Sequence, residues 1–74
     1  MKDYLFYVNF NLSGFRVYHC RTDDPFHVMG EMHYRCDEHI DRVTFVEMTD
    51  SKLKYWEEQG YKLYSWINKF EVIA

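Results

Sequence analysis

Between residues 2 and 10 the chain alternates, with Tyr4, Phe6, Val8 and Phe10 on one side and Leu5 and Tyr7 on the other. Successive side chains of a strand point to opposite faces of its sheet, so two apolar sides predict a strand buried on both, in a sheet interior. Asn11-Leu12-Ser13-Gly14 reads as a short turn-forming loop. The alternation resumes over roughly 15–21, with Phe15, Val17 and His19 opposite Arg16, Tyr18 and Cys20. Two such runs across so short a loop predict an antiparallel hairpin.

The period then changes. Thr22-Asp23-Asp24-Pro25 is a helix start. An Asp there accepts the free N–H groups of the first turn, and Pro is tolerated at a position whose N–H has no helical partner. The predicted helix covers 25–38, with Phe26, Met29 and His33 at helical spacing and Val28, Met32 and Cys36 beside them. Gly30 inside it costs about 1 kcal/mol relative to Ala unless it permits close packing. Residues 42–48 are β-branched and apolar, a predicted third strand. Thr49-Asp50 caps a second helix, 51–59, with Leu53 and Trp56 inward, and Gly60 stands where a left-handed C-cap is wanted. A fourth strand follows at 61–67, and the alternating tail 69–73 extends it or forms a fifth.

The order is ββαβαβ, and 42–67 is long enough for a right-handed parallel crossover. This predicts one α+β domain over 1–74, a two-layer α/β sandwich. Its mixed four- to five-stranded sheet carries two helices on one face, leaving the other for solvent or a partner. An aromatic-rich open face points to a homodimer formed through it.

Composition sharpens this reading. A chain of 74 residues has room for one domain and buries only about 60–65% of its unfolded surface. Aromatic residues, at 20% of the chain, supply most of so small a core. Seven tyrosines, with hydroxyls that want water or a partner, predict that some aromatics reach the surface. The apolar N-terminus superficially resembles a signal peptide, but Asp3 and Asn9 interrupt it and no small-residue cleavage site follows. No run approaches a membrane span. The expectation is a cytoplasmic protein with Cys20 and Cys36 as reduced thiols and no membrane contact.

The net charge of −3 has the wrong sign for gripping phosphate backbones, and the basic residues are scattered, which argues against direct nucleic-acid binding. The acidity is concentrated. Residues 23–41 carry Asp23, Asp24, Glu31, Asp37, Glu38 and Asp41 against Arg35 alone. Such a patch suits a basic partner; an alternative is an acidic mimic that blocks a nucleic-acid enzyme.

Chemistry-bearing motifs are weak. His33-x2-Cys36-x2-His39 with Cys20 has the residue types of a zinc site but lacks the paired Cys-x2-Cys knuckles. The ordinary reading is a buried apolar Cys36 and half-exposed helix histidines, with no cofactor. Asp23/Asp24, Asp37/Glu38 and Glu57/Glu58 are neighbouring acids of the kind common on helix surfaces, and the three glycines never cluster into a phosphate loop.

What remains is a binding role without catalysis. A tiny aromatic-rich domain with no catalytic motif has the general character of phage and mobile-element accessory proteins, which inhibit or redirect a host protein. The expected contact surface is Tyr34, Asp37, Glu38, Asp41, Tyr55, Tyr64 and Trp66, aromatics as anchors and acids at the rim. The alternative from another class is an oligomeric small-ligand or nucleotide-binding domain. There Tyr and Trp would stack, and Arg16, Arg21 or Arg35 would take phosphate.

Overall fold

The computed structural model describes residues 1–67. Within them the chain forms β1 (Lys2–Phe10), β2 (Gly14–Thr22), α1 (Pro25–Arg35), β3 (Ile40–Glu47), α2 (Asp50–Glu58) and β4 (Leu63–Ser65). The fold is α+β in the order ββαβαβ, with a four-stranded mixed sheet ordered β3-β1-β2-β4. The predicted extension of the last strand through 69–73 lies outside the described residues.

β1 and β2 pair antiparallel without a slip, from Lys2 opposite Thr22 to Phe10 opposite Gly14. Gly14 closes the hairpin at φ +85°, a conformation that residues with a Cβ rarely adopt. β3 pairs antiparallel on the other side of β1, and β4 runs parallel to β2. The Trp66 N–H donates to the His19 carbonyl at 2.8 Å, carrying hydrogen bonding past the end of β4.

Both helices start where the sequence places caps. The Asp24 carboxylate accepts from the His27 N–H at 3.2 Å, and the Thr49 hydroxyl accepts from the Lys52 N–H at 3.3 Å. Gly60, at φ +80°, follows α2 in the left-handed conformation expected of a helix stop.

Three elements, α1, β3 and β4, differ from the pattern by two residues or more at a boundary. α1 ends at Arg35 instead of 38, because Cys36 turns extended after donating to the Met32 carbonyl at 3.1 Å. The carboxylates of Asp37 and Glu38 would be unfavourable at the negative end of the helix dipole, and Glu38 is drawn to the hairpin loop instead. β3 begins two residues early, at Ile40, because the register shifts between Asn9 and Phe10 and leaves Asp41 in a bulge that the alternation hides. β4 is trimmed to three residues.

The larger difference is in the layers. Strand parity divides the sheet: Phe6, Val8, Tyr18, Cys20 and Val43 share one face, and Leu5, Tyr7, Phe15 and Val17 share the other. α1 buries Val28 and Met32 in the cluster on the first face. α2 brings Trp56 to the second, 5.3 Å from the Tyr7 ring and 5.6 Å from Phe15, with its indole N–H donating to the Tyr7 hydroxyl at 3.3 Å. The helices therefore lie on opposite faces, not on one, and the sheet is the middle layer.

The winding explains it. β2, β3 and β4 all run the same way, but the first crossover moves from β2 past β1 to β3, and the second returns from β3 past β1 and β2 to β4. Parallel crossovers are almost always right-handed, and two of one hand that travel in opposite directions must use opposite faces. The open aromatic face that would have joined two copies is occupied by α2.

Leu5 and Met32, both fully buried on opposite faces, test this arrangement. Leu5→Ala and Met32→Ala should each lower unfolding free energy in urea by about 2–5 kcal/mol. With both helices on one face, Leu5 would meet solvent and its truncation would cost no more than about 0.5 kcal/mol.

Candidate functional site

The parity that buries Tyr18 and Cys20 also turns Arg16 toward the α1 side of the sheet, opposite Val8. There the guanidinium lies between two rings, 4.9 Å from the Phe10 centroid and 5.4 Å from the Tyr64 centroid. Its hydrogen bond to Tyr18 and the nearby negative charge hold its pKa above the ordinary arginine value. Arg35, in the last turn of α1, lies 4.7 Å over the Trp66 ring. It donates to Glu31 at 2.5 Å and to the Ile67 carbonyl at 2.9 Å. Trp66 meets Tyr18 edge-on at 5.6 Å. Between these groups is a cleft of about 330 Å³ whose lining includes Phe10, Arg16, Tyr18, Arg35 and Cys36.

The segment after α1, with Cys36, Asp37 and Glu38, lines the same cleft. Glu38 clamps the hairpin loop: it accepts from the Leu12 and Ser13 N–H groups and from the Ser13 hydroxyl. The Asn11 N–H adds a bond to the His39 carbonyl at 2.9 Å. The Ser13 hydroxyl, then the backbone N–H groups and the Arg16 field, keep the Glu38 carboxyl below its ordinary pKa against a smaller opposing effect of burial. Burial pushes the Cys36 thiol up, while the fields of Arg16 and Arg35 partly oppose that rise. Cys36 is thus a neutral thiol at the wall, not an activated nucleophile.

A second surface is the outward row of α1. Phe26 is 73% exposed and Tyr34 is 88% exposed. Gly30 lies between them, one turn from each along the helix, and a Cβ there would meet nothing within 4 Å among the described residues. Phe26 leans edge-on against Phe45 at 5.0 Å. Tyr34 has no ring partner among the described residues.

The residues singled out from the sequence are scattered over these surfaces. Tyr34 is on the outward row, and Asp37 follows α1 exposed. Asp41 is exposed on β3, 3.7 Å from His39. Tyr55 is exposed on α2, across the sheet from Tyr34. Tyr64 and Trp66 are half-buried and pack on the α1-side core. Glu38 spends its oxygens on the loop. Of the zinc-type set, Cys20 is buried under α1, Cys36 packs against the same cluster, and His33 and His39 are exposed. Among the described residues no three His, Cys, Asp or Glu side chains gather as a metal site.

Phe26 and the convergence of Arg16 with Arg35 were not singled out together from the sequence. Strand parity carried the signal for Arg16, a cation on the side of β2 that continues into Tyr18 and Cys20. For the convergence with Arg35 the sequence carries no local signal, because it depends on where α1 ends.

Comparison with protein-family models, curated proteins and solved structures finds no match for this chain. No helix among the described residues is long and apolar enough to cross a membrane.

The Glu38 clamp has a pH signature. A carboxylate with a lowered folded pKa holds its bonds above its ordinary value of 4.5 and loses them as pH falls through the lowered one. Amide exchange at Leu12 and Ser13 should therefore be protected at neutral pH and lose protection in that acidic window. Glu38→Ala should lose it at every pH.

Proposed function

We propose that this chain is a small non-enzymatic protein-binding module that works through the outward face of α1, modulating the protein it contacts. The observation that supports this reading is Gly30. A glycine in a helix interior costs about 1 kcal/mol relative to alanine. Among the described residues nothing calls for it, because none of them comes within 4 Å of where its Cβ would stand. A notch between two exposed rings is of use to a surface that approaches from outside.

The row has the anatomy of a contact site. Phe26 and Tyr34 supply large apolar area near the centre, where aromatic anchors carry most binding energy. The missing side chain lets a partner's backbone come close to the helix axis. Asp23, Asp37 and Asp41 lie exposed in the segments flanking α1, a rim suited to a basic surface. Tyr55, on the other side of the sheet, does not belong to this surface, and Glu38 serves the loop.

Gly30→Ala separates the two demands on this position. The variant should unfold about 1 kcal/mol later in urea, yet retain less of the partner that wild-type protein captures. Tyr34→Ala should weaken the same capture with little change in stability. If the partner is a second copy, light scattering of the wild type will show a dimer and Gly30→Ala a monomer. Undiminished binding by both variants would remove this reading.

A further inference from the structure

We propose that the cleft between the C-terminal end of α1 and the Arg16 edge of the sheet binds a phosphate monoester. Arg16 is the starting point. Its guanidinium stays open to solvent at the cleft, and although the Glu38 charge acts on it, no carboxylate lies within ion-pair distance of it among the described residues. The Phe10 and Tyr64 rings both lie within cation–π reach of it. Rings against a planar guanidinium fix its orientation; Tyr18 takes part of its donor edge and the rest is left for an acceptor.

Arg35 is held in a comparable way on the other side of the same cleft. Trp66 covers one face and Glu31 with the Ile67 carbonyl takes one nitrogen, Nη1. Two oriented guanidiniums offer more donors than the two oxygens of a carboxylate use, and they match the three peripheral oxygens of a phosphate ester.

The lining also carries two carboxylates, Asp37 and Glu38. Glu38 is engaged by three loop donors, and Cys36 contributes an uncharged thiol. Asp37 is exposed at the rim. The volume is at the lower end of small-molecule sites, which run from about 300 Å³, so the body attached to the phosphate is small. Phe10 and Tyr18 give an aromatic body a wall to rest on.

Cys36 reports occupancy. It lines the cleft half-buried, whereas Cys20 is buried and serves as a silent control. Phenyl phosphate and inorganic phosphate, each at about ten times its dissociation constant, should slow Cys36 alkylation about tenfold, since only the unoccupied fraction reacts. Sodium chloride at matched ionic strength should not. Stronger protection by phenyl phosphate assigns the aromatic wall a role, and equal protection assigns binding to the phosphate alone.

Arg16→Gln should abolish the protection. Arg16→Lys, which keeps the charge but loses the fork, should weaken it and carries the comparison if the first variant fails to fold by circular dichroism. Gly30→Ala should leave it unchanged, so this site and the α1 contact surface fail or stand separately. Absent protection, equal protection by chloride, or full protection in the folded Arg16 variants would overturn the assignment.

Discussion

The unslipped pairing of β1 with β2 is the constraint on which the rest of the molecule depends. A shift of one residue would send every side chain of β2 to the opposite face. Tyr18 and Cys20 would leave the cluster under α1, Val17 would leave the α2 side, and Arg16 would lose its place between Phe10 and Tyr64. The register is set at one end by Gly14 in its left-handed conformation. Along its length it is set by burial on both faces, since Leu5, Phe6, Val8 and Val17 are all fully enclosed. A strand apolar on one face alone would leave a slipped pairing less costly.

Two enclosed faces in so short a chain require two covering layers, and the winding provides them. α1 is about three turns long and α2 about two and a half, too small to cover a four-stranded sheet from one side. Placed on opposite faces, each covers part of the sheet, and aromatic rings extend the coverage. Tyr4, Phe6, Phe45 and Phe26 form one chain of ring contacts, and Tyr7, Phe15, Trp56 and Tyr61 form another across the sheet. The tyrosine surplus is largely absorbed this way: rings stand in for helix length, and hydroxyls stay near water or, as at Tyr7, accept a bond.

The element order, the helix caps and the central position of β1 were legible because each rests on local chemistry: alternation, an Asp or Thr ahead of a helix, a glycine behind one. The opposite placement of the helices was not, because it follows from strand order and no residue pattern encodes that order locally. Both helices bury a stripe, and a stripe does not say which face of a sheet receives it. The end of α1 was misread for a related reason. His33, Cys36 and His39 keep helical spacing, but Glu38 has a competing use, three donors in a loop 25 or 26 residues away in sequence. Of the site, single residues were visible as types. Their convergence, Arg16 with Arg35 and Phe26 with Gly30 and Tyr34, was not.

Gly30 and Arg16 share a physical character that most other positions lack. Elsewhere local preference and the demands of the fold agree, as at the capping residues or the β-branched stretch of β3, and such consistency makes a small sequence foldable. At Gly30 the helix gives up propensity without any packing in return. At Arg16 the apolar side of a strand ends in a solvent-open charge set against two rings, while the Glu38 carboxylate that acts on it is bonded to the hairpin loop. At Gly30 a domain with a thin margin would gain stability from a single substitution to alanine. Both departures also face outward, one into a notch between exposed rings and one into a cleft. A groove that receives backbone and a fork that receives an oxyanion are the complementary shapes that would make them advantageous. The two features therefore locate binding better than the acidic stretch does, since exposed carboxylates after a helix cost the fold little and record little about what it meets.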